Sequence, residues 1–149
     1  MQTNAARGVA RLRAYALALA VAGCAGDAGP PPCVVVKTDC QPLYDPPTYT
    51  AIFDKIFQPT CASGQGTCHT SDAKKGGLFF QDSAQAYQLL LGKTDGRARV
   101  IPDNPGCSLL AERLASSDRA FEMPPGMRLS DAELCTIMKW LAAGAPSGP

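Results

Sequence analysis

From Thr48 onward, apolar positions recur at helical intervals in separate stretches divided by glycine, proline and short polar runs. In "TYTAIFDKIFQPTC", Ile52, Phe53, Ile56 and Phe57 share one helical face. Pro59 is predicted to stop that helix just before Cys61, because proline lacks the N–H the next turn needs. "KKGGLFFQ" predicts a glycine turn leading into a short extended piece, and "DSAQAYQLLLG" a second helix. Asp82 is its expected N-cap, with Gln85 three residues on and Gly92 past its end. "DNPGCSLLAERLA" predicts a third helix, with Asn104 as cap, Pro105 in the first position, and Leu110 and Leu114 on one face with Cys107.

The last helix carries the clearest signals. Ser130 and Glu133 form a capping box, flanked by Leu129 and Leu134 as a hydrophobic staple. Leu134, Ile137, Met138 and Leu141 follow at core spacing, and Gly144 with Pro146 ends the run. Tyr87 and Trp140 read as packing residues. No strand pair and no internal repeat is predicted. The pattern therefore predicts a small, mostly α domain over 48–149, of marginal core size without covalent support.

Upstream the pattern changes twice. "GDAGPPPC" and "DCQPLYDPP" make 24–47 rich in proline and glycine, which predicts an extended tether lifting the domain off a membrane. Before it, Arg7, Arg11 and Arg13 precede the apolar run Ala14–Gly23, too short to span a bilayer but suited to a signal-peptide core. The run ends in "VAGC", which resembles the lipobox of bacterial lipoproteins; that implies a signal peptide over 1–23 and acylation of Cys24. The expected location is the bacterial cell envelope, lipid-anchored, periplasmic or at the outer membrane.

Processing alters the charge. Fourteen basic residues become eleven once the leader's three arginines are removed, against thirteen acidic ones. A slightly acidic chain with no basic stripe argues against nucleic acid as a partner.

Six of the seven cysteines remain after Cys24 is set aside, an even number in an oxidising compartment. They could make three disulfides, or two disulfides and two thioethers to a haem. Cys33 and Cys40 are expected to close a small local loop worth about 2.5 kcal/mol. Cys107 and Cys135 are expected to join the third and last helices for about 3.6 kcal/mol.

The remaining pair, Cys61 and Cys68, precedes the chain's one histidine, His69. Their spacing is C-x6-C-H, whereas the usual haem-attachment signature is C-x-x-C-H. Electron-transfer haems often take a histidine on one face and a methionine on the other. In "FEMPPGMRLSDAEL", Met123 stands before Pro124 and Pro125, which keep it out of a helix, and Met127 is the runner-up ligand. One histidine makes a poor zinc set, no acid–base pair is visible, and nothing is placed to activate Cys68 as a catalytic thiol.

The order "C…CH", "GGL", "RVIPDNPGCSLL" and "MPPGMRLSDAELCTIMKWLAAGAP" resembles the planctomycete-type cytochrome c domain and its lipoprotein relatives, over roughly Ile52 to Pro146. The resemblance implies a c-type haem wrapped by helices, with the first and last helices crossing. It implies Cys61 and Cys68 as attachment cysteines, His69 as proximal ligand and Met123 as distal ligand. Gln65 stands where the family has its first cysteine. Seven peptide steps between the two cysteines reach up to roughly 24 Å, so length does not forbid a looped attachment. Attachment through both cysteines, attachment through Cys68 alone, and a Cys61–Cys68 disulfide without haem all remain open. The expected function is a membrane-anchored, single-haem c-type cytochrome carrying electrons between envelope redox proteins, rather than an enzyme. The alternative is a haem-free, disulfide-bonded lipoprotein domain with a binding or structural role.

Overall fold

Thr48 is extended, and its hydroxyl accepts the Ala51 N–H at 3.2 Å to open helix α1, Tyr49–Ile52. The structure, a computed structural model, describes residues 33–63 and 68–148. The signal-peptide segment, Cys24 and residues 25–32 therefore lie outside the described residues.

Helix α1 continues without a break as a π-helix over Phe53–Ala62. The predicted stop at Pro59 does not occur, for Pro59 lies inside the π-helical stretch. In an α-turn the proline ring presses on the carbonyl four residues back; the wider i→i+5 register relieves that contact. The chain turns extended only at Ser63. Ile52, Phe53, Ile56 and Phe57 are all buried, as their spacing predicts.

The predicted glycine turn is a short 3₁₀ segment, Lys75–Gly77, in which Gly76 and Gly77 take positive φ. Helix α2, Ser83–Leu90, is capped by Asp82, whose carboxylate accepts the Gln85 N–H at 2.7 Å. A two-residue hairpin follows, β1 (Lys93–Thr94) against β2 (Arg97–Ala98), antiparallel. Asp95 and Gly96, both at positive φ, form its turn. This strand pair departs from expectation, and the Asp-Gly dipeptide was its local signal.

The predicted third helix is divided in two. Asn104 caps a 3₁₀ turn, Pro105–Cys107, and helix α3, Leu109–Ala115, starts only after Ser108 takes an extended backbone. Ser108 is fully buried; its Oγ donates to the Asn104 carbonyl at 3.0 Å and accepts the Ile101 N–H at 2.9 Å. A serine so engaged competes with the helical ladder, which accounts for the break. Cys107 therefore does not share a helix face with Leu110 and Leu114.

Helix α4, Asp131–Ala142, shows both halves of the capping box between Ser130 and Glu133. Its buried face holds Ile137, Met138 and Leu141 as predicted, together with Trp140 and Thr136. Tyr49 brings α1 against α4, its ring 5.7 Å from Trp140 and 5.0 Å from Tyr87. The buried polar tips are paired: the Trp140 indole donates to the Pro146 carbonyl at 2.9 Å, and the Tyr87 hydroxyl to the Ala145 carbonyl at 2.8 Å. Four α-helices and one minimal hairpin make the described domain mostly α.

Both expected disulfide pairings are corrected. Cys33 is joined to Cys107 and Cys40 to Cys135, so each bridge reaches across the fold instead of closing a local loop. Residues 33–47 are irregular, with bends at 39–40 and 43–46 in place of an extended run, and they lie against the helical body. The Val34 N–H donates to the Gly106 carbonyl at 2.8 Å, and the Leu43 N–H donates to both the Ala132 carbonyl and Thr136 Oγ1. Gly106 has no room for a side chain, because a Cβ there would stand 2.5 Å from the Val34 carbonyl oxygen. This segment is a strap on the domain and not a free spacer.

Candidate functional site

The π-helix, the extended piece after the glycine turn, and α3 enclose a cavity. Its volume is about 190 Å³. Phe57, Leu78, Phe80, Leu90, Leu109, Leu110 and Leu114 make its walls mainly apolar. Cys61, His69 and Met123 also line it, so three of the four residues expected to hold a haem come together at one place.

His69 is fixed from two sides. Its backbone N–H donates to the Cys61 carbonyl at 3.1 Å, and its carbonyl accepts the Phe80 N–H at 2.9 Å. Nδ1 lies 3.1 Å from the Leu78 carbonyl, and a carbonyl can only accept, so this nitrogen carries the proton. Nε2 of the neutral ring then keeps its lone pair, which is the form that ligates metals. Burial lowers the His69 pKa most, and the positive charges of Arg113 and Arg99 add to that, outweighing the carbonyl hydrogen bonds that raise it. The half-buried imidazole is thus biased toward the neutral form.

Met123 is half-buried against the core, and its N–H donates to the Arg113 carbonyl at 2.9 Å. Met127, the runner-up, is 43% exposed and does not line the cavity. Gly126, just before it, takes a positive φ of 72°.

The two cysteines differ. Cys61 lies on the cavity wall, and its thiol is pushed up to about 12, chiefly by burial and further by Cys68. Cys68 is exposed and is not among the lining residues. Both are free thiols, so the disulfide between them is not the arrangement found.

Sequence reasoning missed the charged residues of the cavity, Lys75, Asp95, Arg99 and Arg113. Arg99 donates to the Leu89 carbonyl at 2.7 Å and to the Gly76 carbonyl at 2.8 Å. Arg113 sits 4.4 Å from the centre of the Phe121 ring. Neither stands in a recognisable motif; each reads along the chain as an ordinary solvated charge. Nearby, Arg97 pairs with the buried Glu112.

Among the described residues, no group of three or more His, Cys, Asp or Glu side chains could hold a bare metal ion. Apolar walls carrying one imidazole, one thioether and one thiol, together with the charged groups of Lys75, Asp95, Arg99 and Arg113, make a donor set suited to a flat, iron-bearing macrocycle.

Fold and site together describe a small, mostly α domain whose apolar cavity is lined by His69 and Met123. Residues 66–126 match the family model described as Planctomycete cytochrome C, which supports the resemblance carried by the sequence motifs. The match includes Cys68, His69 and Met123; Cys61 and helix α4 fall outside it. No curated protein and no solved structure matches the chain.

Proposed function

We propose that this chain is a single-haem c-type cytochrome that carries electrons in the bacterial cell envelope, anchored to the membrane through acylated Cys24. The observation that carries the reading is that His69, with Nδ1 held by the Leu78 carbonyl, and Met123 line the same apolar cavity. When bound, haem supplies one-electron exchange between ferric and ferrous iron. The chain's own residues do the rest. His69 and Met123 ligate the metal, and Phe57, Phe80 and the leucines of α3 keep water away from it. Arg99 and Arg113 supply positive charge for the macrocycle's acidic groups. Cys68 and Cys61 are the candidates for thioether attachment. Its partners are other redox proteins of the envelope, with no role for nucleic acid and no chemistry of its own as an enzyme.

The test is to produce the protein in a host with c-type maturation and to examine its colour. A Soret band, a pyridine-haemochrome signal and a sulfur-to-iron charge-transfer band that Met123→Ala abolishes are expected. A colourless protein would overturn the reading in favour of a haem-free, disulfide-bonded lipoprotein domain with a binding or structural role.

A further inference from the structure

Met123 stands in the long irregular connection between α3 and α4, where regular structure does not hold it. Its side chain is followed by Pro124 and Pro125, neither of which has an N–H to anchor the loop. The first backbone donor after Met123 is therefore Gly126, and Glu122 takes it: Oε1 accepts the Gly126 N–H at 3.2 Å. The other carboxylate oxygen lies 3.7 Å from Arg128 Nε, and Arg128 also donates to the Ser116 carbonyl at 2.8 Å. The Glu122 N–H donates to the Asp118 carbonyl at 2.7 Å. Glu122 is 8% exposed, a burial that glutamate rarely accepts without partners.

We infer that Glu122 is a positioning residue: its carboxylate closes the Met123-Pro-Pro-Gly126 loop into a ring that holds the methionine against the cavity. It touches neither metal nor cavity and acts through Met123. This inference rests on the haem reading above. Without the clasp, the loop keeps the Met123 N–H bond to the Arg113 carbonyl at 2.9 Å and the Met127 N–H bond to the Pro124 carbonyl at 3.3 Å, but the turn these bonds make loses its tie to Glu122.

The test uses the haem-loaded protein and titrates exogenous imidazole, which competes with Met123 for the iron. Hydrogen bonds to a charged group predict that Glu122→Ala binds imidazole roughly tenfold to a hundredfold more tightly than the parent, with a weakened charge-transfer band. Glu122→Gln retains an acceptor for Gly126 without the charge facing Arg128, and falls between the two. Met123→Ala sets the upper limit, and adding Glu122→Ala to it is expected to change imidazole affinity no further. Parental imidazole affinity in a folded Glu122→Ala or Glu122→Gln protein overturns the positioning role alone. So does a further gain in the double variant, because it would show Glu122 acting on the cavity without Met123. A parent protein lacking haem or the sulfur band overturns the haem reading, and this inference with it.

Discussion

Cutting the Cys40–Cys135 bridge should cost less than its loop length suggests, because the two bridges cross in sequence. Taken alone, a bridge spanning a separation of 95 residues restricts the unfolded chain by about 4.7 kcal/mol, and one spanning 74 by about 4.5 kcal/mol. With Cys33–Cys107 intact, however, Cys40 and Cys135 are already linked by a path of seven residues and then twenty-eight. Closing that shorter path is worth about 3.8 kcal/mol. Removing one bridge as a paired Cys→Ser variant should therefore lower stability by about 3.8 kcal/mol, and removing the second should cost about 4.5 kcal/mol more. Together these losses rival the whole stability of an ordinary domain, so the variant without either bridge should be close to unfolded. Urea unfolding of the oxidised proteins, with peptide mapping of the bridges, measures both steps. Independent losses of about 2.5 and 3.6 kcal/mol, with Cys33–Cys40 and Cys107–Cys135 peptides in the map, would refute the crossed arrangement.

Three further outcomes are expected. In haem-free protein, an alkylating reagent at mildly alkaline pH should label exposed Cys68 quickly and Cys61 only upon unfolding, because burial keeps its thiol protonated up to about 12; equal rates in the native state would contradict this. Tyr49 is raised to about 12, mainly by burial, against the lowering effect of the Ser83 side chain. The unfolded chain releases that proton first, so stability present below pH 10 should fall as pH climbs through about 12, and Tyr49→Phe should flatten that slope in pH-dependent urea melts. Ser108→Ala should lose about 1–2 kcal/mol in the same melts, since the half-buried Ile101 N–H loses its serine acceptor and the Asn104 carbonyl one of its donors; an unchanged midpoint would mean that Ser108 does not hold the α3 break.

Helix α4 was legible in the sequence because every local signal agrees: a capping box, a staple, core spacing and a glycine end. The buried face of α1 was legible for the same reason. Its extent was not, because the proline rule assumes α-helical register and the chain answers with a wider one. Ser108 looked like a helix interior residue, and its buried hydrogen bonds depend on Ile101, which folding brings near. The cysteine partners were equally out of reach, since spacing constrains which residues pair only through a fold not yet known. At the site, proline framing pointed to Met123, and the adjacent cysteine pointed to His69. Arg99 and Arg113 reach the cavity only by way of the hairpin and α3, and the Glu122 clasp only by the turn at Gly126.

The crossed bridges also decide how the domain bears load. A pull entering from upstream of residue 33 passes through sulfur into the turn before α3, and any share carried onward passes at residue 40 into α4. Neither route runs through α1 or the π-helix that walls the cavity. Tension entering there would bypass the π-helical wall and bear instead on the start of α3, whose Leu109 and Leu110 also line the cavity, so the two walls would feel the load unequally.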